Sequence, residues 1–252
     1  MDKLIIESQF NWLEDRTIIL GLTGSHAYGT NTPESDKDFK GICVPPKDYF
    51  VGLNSFNEYN NTGGKNFKNT KDDLDINIIH ITKFVRDAMK GVPNNIELLC
   101  LRNKDYLKIT SVGQKLIDNK NLFFSKNIVN KFAGYAHSQM KKLKEKSSNG
   151  SARKDLIEMY GYDTKFFMHC IRLLTSAIEI LETCDYSTYR PNRQLLLDCR
   201  SGKFTFDQAL EMIVSYEQDL KNAALSSTIP NEPSFNDINN LLIEIIEESL
   251  DY

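Results

Sequence analysis

The apolar positions of this chain change period near residue 80. Before that point they fall in short runs suited to strands: TIILGL at 17–22, FKGICV at 39–44, and LDINIIH at 74–80, where apolar and polar residues alternate. Turn-rich stretches separate the runs, and the glycines and asparagines of NEYNNTGGKNFKNT at 57–70 read as a mobile loop. Beyond His80 the apolar residues recur at intervals of three and four, and everything there reads as helical. ITKFVRDAMKG at 81–91 predicts a helix stopped by Gly91 and Pro93, and NNIELLCL at 94–101 a short one. Longer helices are predicted over 128–146, 164–182, 204–220 and 235–250, and SSNGS at 147–151 reads as a flexible loop between two of them. The expected fold class is α+β: a small mixed β-sheet with flanking helices over 1–104, followed by an all-helical domain over 105–252 that closes a cleft over the sheet.

Candidate chemistry lies where the first two strands begin and end. TIILGL runs into Gly24-Ser25, where a missing Cβ lets the chain turn sharply, presenting backbone N–H groups and the Ser25 hydroxyl to a phosphate. Ten residues separate Ser25 from Asp36-Lys37-Asp38, at the head of the second strand. Two carboxylates two apart on a strand leave the same face and can share divalent ions. A lone D-x-D is more often a solvated turn, so the strand, the Gly-Ser pair and the spacing matter together. A third acid comes from DDLDINIIHI, where Asp73, Asp75 and Asn77 share one face; Asp75 is nearest the apolar middle, with Asp73 as the fallback.

These segments resemble a known family. An apolar residue, Gly-Ser, about ten residues, D-x-D and a later strand Asp are similar to the DNA polymerase β nucleotidyltransferase superfamily. GSHAYGTNTPESDKDFKGICVPP, DDLDINIIHITKFVRDAMKGVPNNIELL and the helical stretch from Tyr162 to Leu174 most resemble its RNA-ligase-associated members. The resemblance is dense up to about Leu101. It implies Asp36, Asp38 and Asp75 as ligands of two Mg2+ or Mn2+ ions, and Gly24 and Ser25 as contacts to a nucleoside triphosphate. His26 and Lys40 stand where many members carry arginine, which bears on further phosphate contacts. The implied reaction moves a nucleoside monophosphate from the triphosphate to a hydroxyl, an RNA end being the expected acceptor, and releases pyrophosphate. Transfer to a protein or small molecule, and an inactive nucleotide- or RNA-binding module, are the alternatives; three clustered acids argue against the last.

Composition adjusts this picture modestly. A net charge of −3 argues against wholesale polyanion binding, yet Lys126, Lys131, Lys141, Lys142, Lys144, Lys146, Arg153 and Lys154 face a single acid, Glu145, between 126 and 154. Such a segment is either a solvated face or an electrostatic footprint for RNA, with Tyr135 and His137 as stacking candidates. Lys165, His169 and Arg172 share one face of an otherwise apolar helix, so they either pair with protein carboxylates or hold triphosphate. His26, His80 and His137 show no grouping and read as structural. Five scattered cysteines without C-x-x-C spacing argue against zinc and a disulfide framework, and a reducing cytoplasm is the simplest setting. No stretch approaches the roughly eighteen apolar residues of a membrane span. Nucleotide preference and oligomeric state have no signal in the sequence.

Overall fold

The computed structural model describes residues 8–61, 74–144 and 154–250. In chain order the elements are β1 (Thr17–Leu22), α1 (Gly24–Tyr28), β2 (Lys37–Cys43), α2 (Asp48–Val51), β3 (Glu58–Asn61), β4 (Leu74–His80), α3 (Ile81–Met89), α4 (Pro93–Leu99), β5 (Tyr106–Ile109), α5 (Ser111–Asp118), α6 (Asn127–Lys144), α7 (Lys154–Tyr160), α8 (Thr164–Thr183), α9 (Arg193–Arg200), α10 (Phe206–Ser226) and α11 (Phe235–Leu250). The fold class is α+β, with a mixed five-stranded sheet in the order β3-β4-β2-β1-β5 and a helical C-terminal region. Among the described residues only the β2–β4 pair is parallel; the other pairs are antiparallel.

The alternation of side chains along the strands divides the apolar residues between two cores. Leu20, Phe39, Cys43, Ile76 and Ile78 face one side, where Leu13 and Phe56 cover them and Phe10, Trp12 and Tyr49 pack around the edge. Ile19, Ile42 and Ile79 face the other side and join a larger core with Phe84, Ile96, Phe132, Phe167, Ile171 and Leu174. Each such fully buried side chain contributes roughly 1.5–3 kcal/mol. Helix α8 sits centrally in this core, packing against α6, α9 and α10. Asp163 starts it: its carboxylate accepts hydrogen bonds from the backbone N–H groups of Lys165 and Phe166, satisfying two of the donors that open a helix.

Strand pairing departs from the expectations at both edges of the sheet. The chain beyond His80 is not wholly helical, because Tyr106–Ile109 forms β5 and pairs with β1. Four residues are too few to establish a period, so packing against β1 decides their conformation. The expected division at residue 104 falls just before this strand, which carries the sheet past that point. The stretch read as a loop at 57–70 contributes the polar edge strand β3, paired with β4; its remainder, from residue 62, lies outside the described residues.

Candidate active site

Register brings the acids together. In the parallel pair β2–β4, Asp38 stands directly opposite Asp75. Asp36 immediately precedes β2, on the same side as Asp38 by strand alternation. Carboxylate oxygens of Asp36, Asp38 and Asp75 lie within 4.8 Å of one another, all three residues being half-buried. Asp73 lies outside the described residues. Along the same sheet face the next row pairs Lys40 with Asn77 and the one after that Ile42 with Ile79, so the acids crown a face that becomes hydrophobic core two rows below.

Crowding has an electrostatic cost. Burial pushes the Asp38 carboxyl up from 3.8 to about 6; the neighbouring charges of Asp36 and Asp75 add to the rise, and those of Lys165 and His26 oppose it. Lys165 on α8 therefore lies within electrostatic reach of the acids. His26, which the sequence placed among structural histidines, belongs to the same neighbourhood. One row down, burial lowers Lys40 to about 8, partly offset by the charge of Glu97, and its ammonium donates to Asn95 Oδ1 at 3.2 Å.

The Gly24-Ser25 turn is built against Asp38. Thr23 ends the β1 run by donating its N–H to the Asp38 carbonyl at 2.7 Å, its hydroxyl approaching the same oxygen at 3.2 Å. Gly24 then adopts φ +62°, a left-handed value that favours glycine. A Cβ there would stand 2.0 Å from Asp38 Oδ2, so the missing side chain leaves space for the carboxylate as well. Ser25 Oγ and His26 Nε2 are buried without a hydrogen-bond partner among the described residues. Three oxygen donors, a glycine cradle and an orphaned hydroxyl beside them fit a hard divalent ion carrying phosphate oxygens.

The cationic triplet divides. Lys165 and His169 are half-buried on α8, whereas Arg172 is buried one turn further on. Arg172 Nη1 donates to Glu97 Oε1, and its guanidinium lies 4.0 Å above the centre of the Tyr28 ring. Of the two readings left open for Arg172, the structure shows the first: the guanidinium is engaged by the protein's own carboxylate inside the core. Tyr28 and Glu97 were not among the residues singled out in the sequence. The available signal was Glu97 itself, one acid among Ile96, Leu98 and Leu99, which had to be buried with a cation if that helix packed inward. In the basic segment, Lys131, Tyr135, His137 and Lys141 are exposed on α6, Tyr135 at 48%, and residues 145–153 lie outside the described residues.

The model of the RNA repair pathway DNA polymerase beta family (RlaP) matches residues 5–244. The chain belongs to this family. By its description RlaP is a DNA polymerase beta family of the RNA repair pathway. A 38.9 kDa uncharacterized protein of the nrdC-mobD intergenic region of Enterobacteria phage T4 is 33% identical over 147 residues, covering 57% of this chain and 44% of that protein. The chain therefore spans less than half the length of that curated relative. A nucleotidyltransferase-like protein from Exiguobacterium sibiricum 255-15 aligns over 92% of this chain and 74% of its own at 12% identity, with a TM-score of 0.29, too loose a superposition to carry an argument. No helix among the described residues is long and apolar enough to cross a membrane.

Proposed function

We propose that this RlaP member transfers a nucleoside monophosphate from a nucleoside triphosphate to a hydroxyl of an RNA end and releases pyrophosphate. The observation that carries the reading is the in-register Asp38–Asp75 pair, joined by Asp36 and set against the Gly24-Ser25 turn. Asp36, Asp38 and Asp75 are the residues to hold divalent ions, Mg2+ or Mn2+, two being the number proposed. Bound there, such ions supply charge neutralisation for the phosphates and acidify the acceptor hydroxyl. The Gly24 N–H and the Ser25 hydroxyl bind the outer phosphates. Lys165, whose charge Asp38 feels from α8, is the proposed phosphate contact of that helix, with His169 one turn further along the same stripe, and the helical part of 105–252 is proposed as the substrate-binding side.

The acceptor oxygen loses its proton to the Asp75 carboxylate and forms a bond to the α-phosphorus, while the bond from that phosphorus to the β-bridging oxygen breaks. In-line positioning and charge compensation do most of the work in phosphoryl chemistry, so few further groups are demanded. The family description and the exposed basic face of α6 support an RNA acceptor. The test is to incubate the protein with each α-labelled triphosphate, Mg2+ or Mn2+, and RNA in the presence of other proteins and small molecules. Label on RNA, falling steeply with salt, supports the reading. Label on protein or a small molecule, or none at all, overturns it.

A further inference from the structure

The Glu97–Arg172 pair lies outside the proposed reaction, yet it is among the most buried charges in the chain, with side-chain exposures of 5% and 6%. Buried ion pairs are often no more stabilising than apolar residues of the same shape, so this one invites a role other than stability. The two carboxylate oxygens of Glu97 are divided: Oε1 accepts from Arg172, and Oε2 accepts from the Tyr28 hydroxyl at 2.7 Å. Arg172 also covers the Tyr28 ring, so Tyr28 is held at its hydroxyl and at its face.

The backbone around Tyr28 is fixed as well. Its carbonyl accepts from the Arg190 N–H at 3.2 Å, and the Thr188 hydroxyl donates to the Glu97 carbonyl at 2.9 Å, tying the same loop to α4. Gly29 follows at φ +73°, with the Tyr189 ring so near that a Cβ on Gly29 would stand 2.4 Å from it. All of this grips the end of α1, a five-residue helix whose first two residues are Gly24 and Ser25. A helix that short has no stability of its own. Its placement must come from these outside contacts.

We infer that Glu97, Arg172 and Tyr28 are positioning residues, which hold the Gly24-Ser25 turn against Asp38 so that its donors are already in place for the outer phosphates. The inference rests on the nucleotidyl-transfer reading above for its consequence, but its structural content is independent of that reading. Arg172 thereby serves the phosphate site through Tyr28 without touching the nucleotide. The arrangement spans α1, α4, α8 and the 186–190 loop, so the helical region sets the geometry of the turn from behind.

Tyr28→Phe is the cleanest perturbation, because the ring and its stacking remain while the hydroxyl bond to Glu97 is lost; Glu97→Gln is the second. Ile213→Val, in the core formed by α10, serves as a control for general loss of stability. Amide hydrogen exchange is measured without nucleotide, and KM and kcat are measured for the triphosphate. Tyr28→Phe is expected to speed exchange selectively across 24–29 and to raise KM roughly fivefold to tenfold with kcat within about twofold, because only part of what a hydrogen bond to a charged group is worth reaches the phosphate contacts through the turn. Ile213→Val is expected to lower Tm without either change. Unaltered exchange across 24–29, or unaltered KM in a variant whose Tm has fallen, overturns the positioning role. A wild-type protein that transfers no nucleotide refutes the proposed function, and exchange then decides positioning by itself. Should Glu97→Gln fail to fold, Tyr28→Phe still decides it.

Discussion

Replacing Asp38 by asparagine should stabilise the metal-free protein at neutral pH while abolishing transfer. The folded protein holds the Asp38 carboxyl at about 6, against an ordinary 3.8, because of its burial and the charges of Asp36 and Asp75. Between roughly pH 4 and pH 6 the folded state therefore binds a proton that the unfolded chain has released, and stability falls as pH rises through this window. At 1.36 kcal/mol per pH unit the displacement corresponds to about 3 kcal/mol. Asp38 is half-buried, and solvent screening reduces this to about 1–2 kcal/mol. The substituted amide carries no charge at any pH, so the Asp38→Asn variant should melt roughly 3–6 °C above wild type at pH 7.5, with the gap closing towards pH 4. Thermal unfolding of both proteins across pH 4–8 in chelator checks this. Added Mg2+ should raise the Tm of wild type and leave the variant nearly unchanged, since only the intact site gains a ligand. A variant less stable than wild type at pH 7.5, or a gap independent of pH, would refute the claim that the acids repel one another across a half-buried site.

Other substitutions probe the remaining parts. Gly24→Ala sets a methyl against Asp38 at a left-handed position, so it should cost about 1 kcal/mol or more in denaturant unfolding and weaken Mg2+ binding measured by calorimetry. Lys165→Met removes a charge that holds the Asp38 carboxyl down; that carboxyl should then titrate higher, and the acid limb of the pH–rate profile should move to higher pH. Arg172→Ala leaves Glu97 buried and uncompensated and should cost about 3–5 kcal/mol in chemical denaturation, with part of the loss recovered in the Arg172→Ala, Glu97→Gln double variant.

The sheet's inner strands were legible because β1, β2 and β4 carry apolar runs long enough to display a period, with Asp38 and Asp75 at the same level of two of them. Strand order was not. That β2 and β4 run parallel and in register, so that the two acids stand side by side, follows from the crossover between them and leaves no mark on either segment. β3 and β5 were missed for a related reason: EYNN is polar and YLKI is four residues long, and both are strands because a neighbour offers hydrogen bonds. Lys165, His169 and Arg172 were read as one stripe of the helix that is α8. Depth along that stripe was invisible, since about two turns separate Lys165, felt by Asp38, from Arg172, enclosed with Glu97.

The central claim is that Asp36, Asp38 and Asp75 bring about transfer of the α-phosphoryl nucleotide unit. Triphosphate labelled at the α-phosphate and, separately, at the γ-phosphate should be incubated with wild type and with Asp38→Ala in the presence of Mg2+ and RNA. Wild type should move only the α label onto RNA and release the γ label as pyrophosphate, and Asp38→Ala should do neither. Movement of the γ label onto RNA, or undiminished α transfer by Asp38→Ala, would contradict the account.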